Sequence, residues 1–372
     1  MKEVVLFHPF VPQSAIQAVS ETLNSRWIGQ GPRVDQLEEK FEREYLDGGG
    51  AAIAVSAGTH ALHLAYRMIG IGEGDEVIVP LFTCTATNIP LLWERASIRF
   101  ADIEPGTLNP DPESIRSLVT DRTKAVVVVD YGGEPARIEE IRKFLPPDVP
   151  IVEDAAQSLW ATHNNGRRVG NEADYTCFSF QAIKHISTGD GGMLVIRRPC
   201  SPEVIEKAKR IRWFGIDRKA KQSGTWENDV WEFGYKYQMT DIAAAMGMAG
   251  LDCEEEVLGL RSRLKTMYRE GLKDVPGLSL LRESPGNSHW LMTALVENRT
   301  RLKDHLRERR IEADPVHYRN DRYTLFRSDP NTRISTYPNM DAIDQQYLCL
   351  PLHTQMDETM AGRVIDAIRE GW

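Results

Sequence analysis

The sequence has 372 residues, 41% hydrophobic and 27% charged, with a formal charge of −9. That length admits a large domain plus a smaller one, each able to bury a core. The acidic balance argues against a nucleic-acid-binding face, which shows as a basic excess, but leaves room for an anionic substrate held by a local cluster of Arg and Lys. Five scattered cysteines (Cys84, Cys177, Cys200, Cys253 and Cys349) form no Cys-x-x-Cys pair, so no zinc site, other metal centre or disulfide framework is expected, and a reducing compartment fits. The N-terminal apolar run Val4 to Phe7 is soon interrupted by Pro9 and Pro12. It is too short for a signal core, and no later segment nears the ~20 apolar residues of a membrane span. A cytoplasmic protein with no membrane partner is the expectation.

In chain order, a strand at Ile53 to Val55 runs through Ser56-Ala57-Gly58-Thr59 into a helix whose Ala61, Leu62, Ala65, Met68 and Ile69 repeat at helical spacing. Apolar β-branched runs follow at 76–80, 97–102, 125–130, 150–154 and 192–196, with an aromatic strand-like run from Tyr175 to Phe180. Runs apolar throughout suit strands buried on both faces of a parallel sheet. Ile138, Ile141 and Leu145 mark a helix that stops at Pro146-Pro147. From about residue 239 the texture changes. Two helices are expected at 239–252 and 254–272, the second ended by Pro276-Gly277, then a strand at 289–296 and helices at 301–309 and 358–372. The expected fold is α/β: a large domain over 1–250, with a mostly parallel central sheet flanked by helices, and a smaller C-terminal α+β domain over 251–372.

Three segments carry chemistry. Pro150-Ile-Val-Glu-Asp154 ends a strand on a carboxylate, with Gln157 in the same turn; open α/β sheets bind ligands at that edge. Alone, Asp154 reads equally as a helix cap. Lys184 lies between two core strands beside Gly189, Gly191 and Gly192. An average lysine is a solvated surface group, but one desolvated between strands is a competent Schiff-base nucleophile. Gly58 and Thr59 open a helix directly after a strand, offering free N–H groups and a hydroxyl to a phosphate; alone they are also an ordinary cap.

Together these segments resemble the DegT/DnrJ/EryC1/StrS family of sugar aminotransferases, of the aspartate-aminotransferase fold (type I). The likeness runs from SRWIGQGPRVDQLEEKFEREY through SAGTHAL, GDEVIVP, VEDAAQS, SFQAIKHISTGDGG and YKYQMTDIAAAMG to PLHTQMDETMAGRVIDAI. The resemblance implies that Lys184 carries pyridoxal 5'-phosphate, that Asp154 pairs with the pyridinium nitrogen, and that Gln157 lies at the phenolic oxygen. Gly58, Thr59 and Ser179 would bind the phosphate. Catalysis would rest on Lys184 and Asp154, with pyridoxamine 5'-phosphate formed between two half-reactions.

Three positions depart from the family pattern. Cys84 stands where an aromatic is expected to stack on the ring, with Phe82 nearby; Lys236 replaces the asparagine that reaches the phosphate from a partner subunit; Phe214 replaces a histidine. Lys236 implies a homodimer with the active site at its interface, a lysine serving the phosphate as a point charge. By resemblance the donor is an amino acid, glutamate, and the acceptor a nucleotide-linked keto sugar, read as a 4-keto-6-deoxy sugar of amino-sugar or cell-surface polysaccharide biosynthesis. Arg212, Arg218, Lys219 and Lys221, with Arg319 and Arg322, are candidates for a diphosphate, or simply solvated charges. His317 and Tyr318 are candidates for the sugar. Some members carry histidine in place of the lysine and act as dehydratases. Counting from Ser179 puts Lys184, not His185, at that position. A dehydratase and a non-catalytic pyridoxal-phosphate-binding regulatory protein are the alternatives.

Overall fold

The structure is a computed structural model describing residues 3–225, 227, 229, 230 and 232–372, with the side chains of residues 219 and 222 outside that set. Its centre is a seven-stranded sheet. Across the sheet the strands run Ala51–Val55, Gly192–Ile196, Tyr175–Ser179, Ile151–Asp154, Thr123–Val129, Glu76–Pro80 and Ser97–Ala101. The last five are mutually parallel. The strand Gly192–Ile196 pairs antiparallel with both its neighbours, so its unbroken apolar run reflects burial on two faces rather than parallel pairing. Ser97–Ala101 is an edge strand and alternates accordingly, with Ser97 and Arg99 partly exposed.

Helices cover both faces because their apolar stripes must be buried somewhere. The helix Gly58–Ile69 packs Ala61 to Tyr66 against the sheet and stops at Gly70, whose φ of 75° is the left-handed conformation that glycine adopts at least cost. The helix Pro32–Tyr45 has no side-chain cap of its own. Asp241, opening the helix Asp241–Leu251, supplies it by accepting from the N–H groups of Gly31 (2.6 Å), Arg33 (3.1 Å) and Val34 (3.2 Å).

The C-terminal part builds a three-stranded antiparallel sheet from Leu278–Leu280, Met292–Val296 and Tyr347–Leu350. The helices Glu254–Leu272, Arg299–Glu308 and Glu358–Arg369 bury Leu264, Tyr268, Leu302, Leu306 and Ile368 beneath it. The start of the chain touches both parts: Val4 bridges Ile311 and sits in the core with Leu264 and Ile368, and the Leu6 N–H donates to Glu312 at 2.8 Å, while the Leu6 side chain packs in the core of the large sheet. Val4 needs apolar cover and a ladder partner, and both lie in the small domain. Among the described residues, no helix is long and apolar enough to cross a membrane, and no group of His, Cys, Asp and Glu is arranged to hold a metal ion.

Arg212, expected among the phosphate-binding guanidiniums, is instead a structural ion. It ends the helix Pro202–Arg212 at 4% exposure, pairs with the buried Glu38, and donates to the Ala54 carbonyl at 2.9 Å. Glu38 also accepts the Ala54 N–H at 2.9 Å, so the pair ties two helices to the edge strand. Removing one member of a buried pair strands the other charge. Arg212→Ala is therefore expected to lower the unfolding free energy by about 3 kcal/mol, seen as an earlier denaturant midpoint. Adding Glu38→Gln should recover part of that loss.

Candidate active site

The strand order places a switch point at the centre of the sheet. From Glu76–Pro80 the chain crosses to Ser97–Ala101 on one side; from Thr123–Val129 it crosses to Ile151–Asp154 on the other. A crevice opens at the carboxyl ends where connections diverge. Three loops line it: the segment after Pro80, the turn Tyr131–Gly133, and the turn after Asp154.

Asp154, the last residue of its strand, is 3% exposed. Its Oδ2 accepts from Thr87 Oγ1 at 2.6 Å and its Oδ1 from the Ala156 N–H at 3.1 Å. Thr87 is itself 2.8 Å from Thr83 Oγ1. Burial raises the Asp154 pKa, while Thr87, Ala156 and then the nearby Lys184 favour the carboxylate. Gln157, also buried, accepts the Gly132 N–H on Oε1 at 2.8 Å and places Nε2 3.2 Å from His317 Nε2. Because the amide donates, His317 accepts on Nε2 and carries its proton on Nδ1. Burial first, then Lys184, pushes the His317 pKa down to about 3, so the ring is neutral.

Lys184 lies in the turn after the strand Tyr175–Ser179. Among the described residues no carboxylate stands within ion-pair distance of it. Burial lowers its pKa to about 8, against the opposing pull of Asp154 and Cys84. Its neighbour His185 faces away, with Nε2 2.8 Å from the Ser288 carbonyl and the ring edge-on to Trp160. The amine, not the imidazole, faces the crevice. Gly58 and Ser179 close the other end: a Cβ at position 58 would lie 2.8 Å from the Ser179 Cβ, so only glycine permits this approach. The helix beginning there has no side-chain cap on Ala57, leaving the first N–H groups, those of Gly58 and Thr59, for a ligand.

The remaining candidates separate. Phe82 is fully buried, with ring centroids 5.2 Å from Tyr131 and 4.8 Å from Tyr347, so it is packed away from the crevice. Cys84 is exposed at the start of the helix Thr85–Trp93. Tyr318 is 52% exposed and its backbone pairs with Thr83. Arg319 does not offer a free guanidinium: it is 4% exposed, bonds Asp321 at 2.8 and 2.9 Å, and also pairs with Asp341. Arg322 pairs with Asp344. The carboxylates that flank both arginines have taken the place of a phosphate. Lys236 is exposed on the segment bridging Trp213. Arg218 and Lys221 line a separate cleft of about 670 Å³ with Trp27, Trp213, Arg26 and Lys209; Arg212 is at its wall. Lys184 and Asp154 are not part of that lining. The Lys219 side chain lies outside the described residues.

Sequence reasoning missed two residues. Thr87, which holds Asp154, carried only the weak signal of a threonine-rich TCTAT run. Trp290, whose ring centroid lies 3.8 Å from Lys184 Nζ, comes from the small domain and carried none.

Behind the crevice lies a buried ionic cluster. His163 Nε2 is 3.1 Å from Glu153 Oε1, and Thr176 Oγ1 donates to Glu153 Oε2 at 3.0 Å. Asp130 accepts from Ser158 Oγ at 2.6 Å and from the Ala136 N–H at 2.8 Å. Because Glu153 adjoins Asp154 and Ser158 adjoins Gln157, the cluster braces the turn that presents both. Burial alone would lower the His163 pKa; Glu153 and Asp130 overcome it and raise the value to about 9. A raised folded pKa means that stability from this pairing is complete below the ordinary value near 6.5 and is lost as pH rises through about 9. The unfolding free energy of His163→Gln, subtracted from that of the native protein at each pH, should therefore shrink by about 3 kcal/mol across that window. The depressed histidines His289 and His317 act only on the acid side, so a flat difference above pH 6.5 would rule the pairing out.

The sequence matches the model of the DegT/DnrJ/EryC1/StrS aminotransferase family over residues 11–369. It is 31% identical to the spore coat polysaccharide biosynthesis protein SpsC of Bacillus subtilis, over 97% of this chain and 95% of that one. It is 29% identical to the dTDP-4-dehydro-2,3,6-trideoxy-D-glucose 4-aminotransferase of Saccharopolyspora spinosa, over 98% and 96%. Among solved structures it superposes on the putative sugar aminotransferase Spr1654 of Streptococcus pneumoniae in its PLP-form. The TM-score is 0.90, with 25% identity and coverage of 99% and 98%. The residues present fit that cofactor: a desolvated lysine without a salt-bridge partner, a buried carboxylate at a strand end, and a glycine–serine approach at an uncapped helix start. The chain is a member of the DegT/DnrJ/EryC1/StrS aminotransferase family, a pyridoxal-phosphate-dependent enzyme of sugar metabolism.

Proposed function

We propose that this enzyme moves an amino group from glutamate to a nucleotide-linked 4-keto-6-deoxy sugar, working in the cytoplasm as a homodimer. The observation that carries the amino-transfer reading is the partly buried Lys184 amine, its pKa brought to about 8, set in one crevice with Asp154 and Gln157. The 4-keto position is supported by the 4-aminotransferase of Saccharopolyspora spinosa, and a polysaccharide role by the spore coat polysaccharide biosynthesis protein of Bacillus subtilis.

When bound, pyridoxal phosphate supplies an electron sink for the bond-breaking at the amino-acid carbon. The chain's own residues do the rest. Lys184, near neutrality in its affinity for a proton, can take one from the donor carbon and return it to the cofactor carbon. Asp154 would keep a proton on the ring nitrogen, and that cationic partner would offset the carboxylate's own burial. Gln157 would lie at the phenolic oxygen, and Gly58, Thr59 and Ser179 would receive the phosphate. Cys84 would stand where an aromatic otherwise covers the ring. Lys236 of a second chain would complete the phosphate site. The cleft lined by Trp213, Arg218 and Lys221, together with Lys219, would take the nucleotide and its diphosphate, and His317 and Tyr318 the sugar. In this reading residues 251–372 form the substrate-closing small domain, joined there by the first few residues.

The purified enzyme should be yellow. Borohydride should fix the cofactor on Lys184, and Lys184→Ala should abolish the visible band that persists in the native protein. Glutamate should bleach the band and 2-oxoglutarate restore it; a colourless protein that takes up no pyridoxal phosphate overturns the reading. Mixing Lys184→Ala and Lys236→Ala chains, each inactive alone, should recover about a quarter of native activity, since random pairing leaves one intact site in half of the dimers. No recovery would mean that Lys236 serves no partner site.

A further inference from the structure

We propose that Trp290 is a positioning residue for Lys184: the face of its indole is the rest on which the free lysine ammonium sits between accepting a proton and returning it. The inference rests on the reading of Lys184 as the cofactor-bearing, proton-moving lysine, and deepens it.

The geometry is direct. Lys184 Nζ lies 3.8 Å from the Trp290 ring centroid, within the ~6 Å range over which a ring quadrupole attracts a cation. The indole is 1% exposed and held on several sides. Its Nε1–H donates to the Ile183 carbonyl at 2.9 Å, the residue immediately before Lys184. Phe7 and His317 stack near it, with centroids 5.7 and 6.3 Å away and interplanar angles of 22° and 23°. Its backbone N–H donates to the Gly132 carbonyl at 2.9 Å, while the Gly132 N–H holds Gln157. Gly133 permits this docking: with φ of +96°, a Cβ there would lie 2.9 Å from the His289 nitrogen and 3.0 Å from that of Trp290. A residue that only filled core space would need none of this fixation relative to Lys184.

The groups facing the amine are few. Asp154 pulls it toward the charged form from a distance, Cys84 adds to that pull, and His317 is neutral. His185 is turned away and its pKa is pushed well down by burial. The indole face is thus the near partner of an ammonium that has left bulk water, where cation–π attraction is strongest. It favours the protonated amine against desolvation. It also fixes where that amine waits.

The test uses the whole enzyme labelled with [ε-¹³C]lysine and loaded with pyridoxamine phosphate, which leaves Lys184 free. Its signal is assigned by its loss in Lys184→Ala. The Lys184 ε-methylene should be shifted upfield by the indole ring current and titrate near pH 8. Trp290→Phe should keep an upfield signal. Trp290→Leu, which keeps the site apolar, should return the signal to the ordinary lysine position and lower the titration midpoint by about one pH unit. An unshifted signal in the native enzyme, or a Trp290→Leu midpoint equal to the native one, overturns the proposal. A purely packing role would lower the melting temperature of Trp290→Leu while leaving the Lys184 midpoint in place. If the signal behaves as expected but no keto sugar is aminated, the sugar reading fails and this one stands.

Discussion

One residue, Gly132, holds the site together through both of its backbone groups. The Gly132 N–H is bonded to the side chain of Gln157, and its carbonyl accepts from Trp290 at 2.9 Å and Leu291 at 3.1 Å. On one side of that residue stands the turn that presents Asp154 and Gln157; on the other, the segment that presents Trp290. Neither partner can shift without breaking a buried backbone bond, and such a loss costs the desolvation of whichever group is left unpaired. Gly133 makes the arrangement sterically possible, since any side chain there would displace the very N–H groups that dock.

From that joint the electrostatics follow. The crevice is built from groups that have surrendered water: Asp154 at 3% exposure, Gln157 at 2%, Trp290 at 1%. Desolvation penalises charge, so it moves Asp154 up and Lys184 and His317 down. The compensation for Asp154 is local and specific, two hydrogen bonds from Thr87 and Ala156. Among the described residues Lys184 has no such donor or acceptor, only an aromatic face and distant charges. A carboxylate with fixed partners suits a static role at the ring nitrogen. An amine held loosely and near neutrality suits one that must move protons.

The sequence was most legible where local pattern and chemistry coincide. The strand ending in Asp154, the helix opening at Gly58 and the lysine between core strands all show their candidate chemistry within a few residues of chain. It was least legible where long-range pairing decides. Arg212 and Arg319 look in the sequence like members of basic clusters, but each is consumed by carboxylates: Glu38 lies 174 residues away from Arg212, whereas Asp321 lies only two residues from Arg319. The bridge from Val4 to Ile311 has no signal in the residues around Val4. Trp290 had no motif at all; its role depends on a contact between two parts of the fold.

The depth of the pKa separation in the crevice matters for what the site can do. His317, held as an acceptor by Gln157 and pushed down to about 3, keeps one charge state throughout the physiological range. Lys184, near 8, does not. Of the imidazole and the amine that both lie against the Trp290 ring, only the amine changes charge near neutrality. In the proposed reaction, proton transfer then falls to a single group, and His317 is suited to orient rather than to exchange. A histidine with an ordinary pKa in that place would compete for the same proton; its burial against Trp290, Tyr131 and Phe82 removes that competitor.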